Sequence, residues 1–207
     1  MLDNKIILIG YSGHGKVLAD IALDNGLNII GYAEQKIIEN NLFNLKYIGY
    51  EKDEAFIGWQ LEAHFLIGIG DNNIREKVFN AIIKRGREVK TLISKTSIIS
   101  KYSTIGNGTF VSNNVTINAS SKIGKNVILN TGCIIEHECN IENSVHIAPG
   151  VVLAGNVTIG KRSFVGANAV LKQGVVIGKN VIIGAGTVVL HDIPDNMKIV
   201  GNPSRFI

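Results

Sequence analysis

A histidine between two glutamates is the strongest candidate for catalytic chemistry in this chain. In Glu136-His137-Glu138, carboxylates flank an imidazole on both sides, which would fix its tautomer and strengthen it as a base. Gly155, eighteen residues further on, offers a backbone N–H that no side chain blocks. A general base beside an unobstructed donor is the minimal equipment for acyl transfer, because the base activates the nucleophile and the donor stabilises the oxyanion.

A second candidate site is the glycine-rich segment 10–15, which follows an apolar run. Free amides at such a turn and at the N-terminus of the next helix bind phosphate oxygens. Glu34, at the end of the next predicted strand, could accept a hydrogen bond from a sugar hydroxyl, while Gly68 and Gly70 keep the neighbouring edge open. The segment is not a nucleoside-triphosphatase loop, because Val17 stands where Ser or Thr would hold Mg²⁺, and its glycines are in the wrong order for a dinucleotide fingerprint.

The elements around this segment alternate between strands and helices. Apolar runs predict strands, and helical spacing followed by glycine predicts helices. The predicted strands cover residues 5–10, 28–34, 64–70 and 89–94, and the predicted helices cover residues 16–25 and 72–85. This order predicts a small parallel sheet that resembles half of a Rossmann domain.

The second half of the chain has a six-residue period. From Ile93 to Ile183 an aliphatic residue recurs at every sixth position, sixteen times without interruption, and the residue four places after each is small or β-branched. This period fits a chain that turns a corner every six residues, so that three faces close a coil of about 18 residues. Coils of this kind stack about 4.8 Å apart. We therefore predict an α/β domain at residues 1–92 and an all-β parallel β-helix at residues 93–207.

Coil stacking places the candidate residues of the β-helix relative to one another. A period of about 18 residues puts Gly155 directly next to His137. Ala167 and Ala185 fall in one column, where small side chains leave a groove shallow enough for a slender molecule. His146 lies nine residues from His137, on another part of the coil, so the two imidazoles of one subunit are poorly placed to share a metal.

Composition excludes several classes of partner. The net charge of +4 comes from scattered Lys and Arg with no basic run, which does not favour nucleic acid. No apolar stretch is long enough to span a membrane. Residues 1–4 lead directly into a strand, which predicts no signal peptide and a cytoplasmic protein. Cys133 and Cys139 occupy interior positions of the β-helix and are expected to be buried inert thiols, the alternatives being a disulfide or a metal site.

Three features together resemble the left-handed β-helix acetyltransferases. They are the hexads, the closing segment Gly201-Asn202-Pro203-Ser204-Arg205, and the segment Gly10-Tyr-Ser-Gly-His-Gly-Lys-Val17. The whole chain is similar to bacterial nucleotide-sugar N-acetyltransferases and to their relatives, the sialic acid O-acetyltransferases. The resemblance implies a left-handed coil, an exception to the usual right-handed crossover. It also implies a homotrimer with acetyl-CoA in the cleft between adjacent solenoids, and no metal.

The resemblance also implies roles for residues of the β-helix. His137 matches the catalytic base, and Glu138 matches its supporting acid. Asn130 resembles a polar residue near the acceptor amine. The residues that match the acetyl-CoA site, with His146 reaching it across the subunit boundary and Gly155 holding the acetyl carbonyl, are His146, Gly155, Ala167 and Ala185.

In the small domain the resemblance implies a nucleotide site. The residues that match a diphosphate-cradling turn are Ser12, Gly13 and His14. Glu34 and Gln35 match a pair that recognises uridine. Relatives more often carry Asp at the position of Glu34, so the nucleobase stays open.

The predicted function is therefore acetyl-CoA-dependent N-acetylation of a nucleotide-activated amino sugar, such as a UDP-4-amino-4,6-dideoxy sugar, in surface glycan biosynthesis. The closest alternative is O-acetylation of a sialic acid, which the same machinery would support. A zinc hydratase would need three histidines at metal spacing, whereas only His137 and His146 lie in the coils. A non-catalytic trimeric scaffold is the remaining alternative.

Overall fold

The computed structural model describes residues 4–207, so the expectation for Met1–Asp3 lies outside the described range. Two compact units divide the chain, the first ending at Leu92 and the second beginning at Ile93. Each unit has its own buried core.

The first unit is a small parallel α/β sheet, which confirms the predicted fold class. The elements are β1 (Lys5–Ile9), α1 (Gly13–Asp24), β2 (Asn28–Ala33), a 3₁₀ helix (Ile57–Trp59), β3 (His64–Ile67) and α2 (Asn72–Lys84). The three strands have the order β2-β1-β3, with β1 in the centre. A central strand is covered on both faces, and four of the five β1 residues are accordingly buried.

Three predictions for this unit differ from the structure by more than one residue. The strand predicted at residues 64–70 ends at Ile67. Helix α1 begins at Gly13 rather than at residue 16, so the second half of the glycine-rich segment is the first turn of a helix. The strand predicted at 89–94 is divided. Val89 forms a single bridge with Phe65, while Leu92–Ile93 is the first strand of the solenoid, because the first hexad begins there.

The second unit is a β-solenoid with three faces, as the six-residue period predicts, and its strands pair in parallel except for the last two, which are antiparallel. The first face has the order β22 (Arg205–Phe206), β21 (Lys198–Val200), β19 (Ile182–Ile183), β16 (Phe164–Val165), β13 (His146–Ile147), β10 (Ile128–Leu129), β7 (Phe110–Val111) and β4 (Leu92–Ile93). The second face has β20 (Val188–Val189), β17 (Val170–Leu171), β14 (Val152–Leu153), β11 (Ile134–Ile135), β8 (Thr116–Ile117) and β5 (Ile98–Ile99). The third face has β18 (Val176–Ile177), β15 (Thr158–Ile159), β12 (Asn140–Ile141), β9 (Lys122–Ile123) and β6 (Thr104–Ile105).

The coils stack in a register of eighteen residues, except for the last one. Ile128 pairs with His146, eighteen residues later, and this spacing recurs on every face. Ile182 instead pairs with Lys198, sixteen residues later. The reason is the end of the hexad pattern: position 195 is Asp, and Ile193 fills the interior in its place, with 5% of its surface exposed.

Left-handed backbone forms the corners of the solenoid. From residue 108 onward, the residue three places after each hexad aliphatic has a positive φ. Asparagine and glycine adopt this conformation most easily, and most of these positions carry one of them. Glu138 and Arg162 are the two corner residues with long side chains in this conformation.

Candidate active site

His137 and Glu138 form a hydrogen-bonded pair on the corner between β11 and β12. The distance from His137 Nδ1 to Glu138 Oε2 is 3.0 Å, and the two side chains are 50% and 63% exposed. An ionised carboxylate only accepts hydrogen bonds, so Nδ1 carries the proton. Nε2 is then the nitrogen with a free lone pair, the form of imidazole that can remove a proton from a nucleophile.

The other flanking carboxylate does not contact the imidazole. Glu136 accepts a hydrogen bond from Asn118 Nδ2 at 2.9 Å, in the preceding coil. The sequence suggested two carboxylates beside His137, but the corner turns the side chains of Glu136 and Glu138 to different sides. His137 therefore has one carboxylate partner.

Gly155 lies against the imidazole in the next coil. A Cβ atom at this position would lie 2.5 Å from His137 Nε2, so any side chain would displace the ring. The His137 carbonyl accepts from Asn156 N–H at 2.8 Å, which ties the two coils together here. Within residues 4–207 the Gly155 N–H donates to no other group, so it stays available to an oxyanion.

Backbone strain marks the same corner. Glu138 has φ of 62°, whereas its equivalents in the coils on either side are Ser120 and Asn156. A long side chain in this region costs free energy and is found where surrounding structure or function requires it. The position gives Glu138 its approach to His137 Nδ1.

Two of the residues matched to acetyl-CoA binding, Ala167 and Ala185, lie on a different corner of the solenoid from His137 and Gly155. We call the corner between the first and second faces the groove corner; it contains Asn130, Ala167 and Ala185, and the two alanines share one column. Small residues at Ala167 and Ala185 leave room for a slender chain, and Asn130 Oδ1 accepts from the Thr131 N–H at 2.8 Å. One subunit does not bring this group together with His137, which lies between the second and third faces.

His146 lies on the first face and is 9% exposed. Its ring meets that of Phe164 edge-on, with centroids 5.1 Å apart. His146 is therefore also remote from His137 within one chain, as the nine-residue spacing predicted.

An apolar face lies between the two groups. The first residue of each strand on the second face points outward, and all six are β-branched: Ile98, Thr116, Ile134, Val152, Val170 and Val188. Ile98 is 70% exposed and Val170 41% exposed. Such a surface is typical of a protein interface.

The first unit contains a cavity of about 610 Å³ at the carboxyl ends of its strands. Of the residues matched to nucleotide binding, Ser12, Glu34, Gln35 and Gly68 line it. Gly13 and His14 follow in the first turn of α1. Lys36, Tyr50, Glu51 and Lys52 also line it and were not identified from sequence, since they belong to a loop without a motif.

The two helix N-termini of this unit differ in their caps. In α2, the Asp71 carboxylate accepts from Asn73 N–H and Ile74 N–H at 2.9 and 2.8 Å. In α1, Ser12 makes no side-chain cap and the first turn has no acidic residue. The N-terminus of α1, at the edge of the cavity, thus has no side-chain cap and no acidic residue of its own, which favours an outside anion there.

Glycines around the cavity have two different roles. A side chain at Gly15 or Gly68 would collide with the backbone of Gly10, so these three glycines allow the strands and α1 to pack closely. A Cβ at Gly13 or Gly70 would meet nothing within 4 Å. The open space at Gly13 lies where a phosphate would approach the helix N-terminus.

Glu34 is fixed by the backbone. Its carboxylate accepts from Tyr11 N–H at 3.0 Å and from Gln35 N–H at 3.1 Å. Nearby, burial raises the pKa of Glu51, and the charge of Glu34 adds to this effect. The cavity thus brings two carboxylates together with Lys36 and Lys52.

The cysteine thiols are buried inside the solenoid, where Cys139 Sγ donates to the Ala154 carbonyl at 3.3 Å, next to Gly155. Cys133 and Cys139 are free thiols with at most 1% of their surface exposed. Burial raises the pKa of Cys133 to about 12 and raises that of Cys139 as well. In the described residues no group of three or more His, Cys, Asp or Glu side chains could hold a metal, and no helix is both long and apolar enough to cross a membrane.

Three protein families match parts of the chain. The PglD N-terminal domain matches residues 5–82. The bacterial transferase hexapeptide family matches residues 138–173, and the hexapeptide repeat of succinyl-transferase matches residues 156–191. The first match covers the cavity of the first unit, and the second begins at Glu138.

Solved structures match over nearly the full length. The acetyltransferase domain of PglB from Neisseria gonorrhoeae FA1090, in complex with acetyl coenzyme A, is 30% identical, with a TM-score of 0.92 and coverage of 99% of this chain and 100% of that chain. A histidine-to-alanine variant of the GDP-perosamine N-acetyltransferase from Caulobacter crescentus, in complex with CoA and GDP-perosamine, is 30% identical, with a TM-score of 0.93 and coverage of 98% and 96%. WeeI from Acinetobacter baumannii AYE is 25% identical, with a TM-score of 0.86 and coverage of 98% and 99%. The chain belongs to the hexapeptide-repeat acetyltransferases that carry a PglD-type N-terminal domain.

Proposed function

We propose that the protein transfers the acetyl group of acetyl-CoA to the amine of a nucleotide-linked amino sugar. The observation that carries this proposal is the His137 imidazole, oriented by Glu138 and lying against a bare glycine. The uncapped N-terminus of α1 beside a cavity supports a diphosphate as the second recognised group. Acetyl-CoA and nucleotide sugars are both made in the cytoplasm, where we place the reaction.

The mechanism is direct transfer in a ternary complex. His137 Nε2 removes a proton from the sugar amine as the nitrogen attacks the thioester carbonyl carbon. The Gly155 N–H donates to the developing oxyanion. When the carbon–sulfur bond breaks, the imidazolium returns the proton to the departing thiolate. Glu138 keeps the proton on Nδ1 throughout and stabilises the imidazolium.

The complete site is formed between subunits of a homotrimer. His137 and Gly155 come from one subunit, and the groove corner, which receives the pantetheine arm, comes from its neighbour together with His146. Two features support this arrangement: the two groups lie on different corners of one solenoid, and the apolar second face lies between them. In a ring of three subunits joined by the same heterologous contact, this face would be covered in every subunit.

The substrate is a nucleoside diphosphate sugar with a free amine. The relative from Caulobacter crescentus binds GDP-perosamine, and the Glu34–Gln35 pair resembles one that recognises uridine. Both GDP-linked and UDP-linked 4-amino sugars are therefore the first substrates to assay.

The test is an assay of product mass with a panel of acceptors. The panel contains UDP-, dTDP- and GDP-4-amino sugars and free sialic acids, each with acetyl-CoA. A mass gain of one acetyl group on a nucleotide sugar, with thiol release, is the expected result. Acetylation of sialic acid alone would replace the proposal with O-acetyl transfer. Thiol release without acetylation of any acceptor in the panel would contradict the proposed acceptor class.

The base is tested with His137→Ala. Because a positioned base contributes about 10²–10⁴-fold, kcat should fall by at least about tenfold while nucleotide-sugar affinity stays near that of the wild type. Full turnover by His137→Ala would show that the base assignment is wrong.

A further inference from the structure

We infer that Ser121, a buried residue of the preceding coil, positions the His137–Glu138 pair for the reaction. This inference rests on the proposed function, since it concerns the same site. Ser121 is 0% exposed and cannot touch a substrate. Its hydroxyl reaches the backbone of the segment Glu136–Cys139, which we call the catalytic corner.

The Ser121 hydroxyl joins the two ends of the catalytic corner. Ser121 Oγ donates to the Glu136 carbonyl at 2.7 Å and accepts from the Cys139 N–H at 3.1 Å. His137 and Glu138 are the two residues between these groups. One hydroxyl therefore fixes the entrance and the exit of the segment that carries the imidazole and its carboxylate.

Other corners show why this link matters. At the corner from Asn130 to Cys133, the Cys133 N–H bonds directly to the Asn130 carbonyl at 3.1 Å. Within the described residues, no such direct bond joins Cys139 to Glu136, and the Ser121 hydroxyl stands in its place. The shape of the catalytic corner thus depends on a side chain from another coil.

Backbone strain at Glu138 makes the catalytic corner depend further on the preceding coil. Glu138 has φ of 62°, which a long side chain adopts reluctantly. The Glu138 N–H donates to the Ala119 carbonyl at 3.0 Å, so the preceding coil holds this corner at two places. If the Ser121 hydroxyl is removed, the backbone can relax, and the 3.0 Å contact from His137 Nδ1 to Glu138 loosens.

The chain contains a matched control for this arrangement. Ser163 is also 0% exposed; its Oγ donates to the Gly178 carbonyl at 2.7 Å and accepts from the Val181 N–H at 2.9 Å. The corner that it spans contains Lys179 and Asn180 and none of the site residues. Ser121→Ala and Ser163→Ala therefore remove the same two hydrogen bonds at a site corner and at a structural corner.

Another residue of the chain indicates which substitution of Ser121 should keep the bridge. Thr109 makes the same bridge, donating to the Gly124 carbonyl at 2.8 Å and accepting from the Val127 N–H at 3.1 Å. A threonine hydroxyl thus serves in this role. The interior column of Ser121 accommodates branched side chains, since Val157 and Val175 occupy it two and three coils later. Ser121→Thr is expected to keep the bridge.

The first experiment measures kcat, both KM values and the melting temperature of the three variants. The melting temperatures of Ser121→Ala and Ser163→Ala should fall by similar amounts. Because a small misplacement of a reacting group costs up to about 10²-fold, kcat of Ser121→Ala should fall about tenfold or more with both KM values within about twofold. Ser163→Ala and Ser121→Thr should keep kcat near that of the wild type. Equal kcat values for Ser121→Ala and Ser163→Ala, or no rescue by Ser121→Thr, would overturn the inference.

A second measurement does not depend on turnover. The Cε1–H NMR signal of His137, assigned by its loss in His137→Ala, should shift in Ser121→Ala and stay in place in Ser163→Ala. An unmoved signal in Ser121→Ala contradicts a positioning role even if the acceptor is not found. A shifted signal in a protein inactive with every nucleotide sugar would separate failure of the proposed function from failure of this inference.

Discussion

At the scale of single residues, the candidate site contains a residue, Glu138, whose backbone conformation lowers the stability of the fold. An L-residue in the left-handed region costs roughly 1–2 kcal/mol, and asparagine or glycine reduces this cost. Most corners of the solenoid carry such residues, whereas the corner beside His137 carries Glu138. The carboxylate is therefore kept in an unfavourable conformation, at the place where the imidazole needs an acceptor for its Nδ1 proton.

We predict that Glu138→Asn stabilises the protein while it lowers activity. Asparagine relieves part of the strain, so the free energy of unfolding should rise by about 0.5 kcal/mol. The shorter amide cannot hold the imidazolium as a carboxylate does, so kcat should fall roughly tenfold or more. Chemical denaturation and steady-state kinetics measure the two effects.

Ser120→Asn is the matched control, because Ser120 has the equivalent left-handed position one coil earlier, with φ of 64°. It should give a similar gain in stability with unchanged kcat. A Glu138→Asn enzyme that is more stable and equally active would show that Glu138 has no role in turnover.

At the scale of elements, the two helices of the first unit differ at their N-termini, and this difference favours α1 as the binding place for a ligand's anion. An aspartate at the N-cap satisfies the first amides of a helix and places a negative charge at the positive end of its dipole. Helix α2 has this cap in Asp71, whereas the Ser12 side chain of α1 makes no capping hydrogen bond. Both helix N-termini border the cavity, through Ser12 and Ile74, and α1 is the one without an acidic cap of its own.

We predict that Ser12→Asp gives α1 the cap of α2 and blocks the nucleotide. Capping should raise the free energy of unfolding by about 0.5–1 kcal/mol. The carboxylate occupies the amides and repels a diphosphate, so KM for the nucleotide sugar should rise about tenfold. KM for acetyl-CoA should not change, because that molecule is assigned to the solenoid.

Ser12→Ala, which adds no charge, is the control and should change the nucleotide-sugar KM much less. An unchanged nucleotide-sugar KM in Ser12→Asp would show that the diphosphate does not bind at α1.

The difference between elements also explains what could be predicted from sequence. The solenoid strands were predictable because each interior position faces the same narrow axis and therefore repeats one residue type. The start of α1 was not, since Gly13 and Gly15 have low helix propensity, and the close packing of Gly15 on Gly10 is a tertiary contact. The strain at Glu138 could have been found by aligning the hexads, where it interrupts a column of Ser, Asn and Gly. The Ser121 bridge depends on hydrogen-bond geometry, which a residue pattern does not contain.

At the scale of the whole molecule, the proposed site needs two copies of the chain. His137 and Gly155 lie on one corner of the solenoid, while Ala167 and Ala185 lie on another. The partly exposed apolar face between these corners is suited to a subunit interface, and in the proposed trimer a neighbouring subunit covers it and supplies the other half of the site. This arrangement makes activity a property of the interface, which can be tested by mixing subunits.

We predict that two inactive variants regain activity when their subunits are mixed. His137→Ala removes the base, and Ala167→Trp blocks the groove corner. If each site takes one group from each neighbour, random mixing in equal amounts leaves about a quarter of the sites with both groups intact. Coexpression of the two variants, or mixing after unfolding and refolding, should therefore restore about a quarter of the wild-type kcat. The matched control is His137→Ala mixed with Gly155→Trp: both changes affect the same half of the site, so no mixture can restore it. Recovery in the control would show that His137 and Gly155 of one site come from different subunits. No recovery in the first mixture, despite proven subunit exchange, would place the whole site within a single chain.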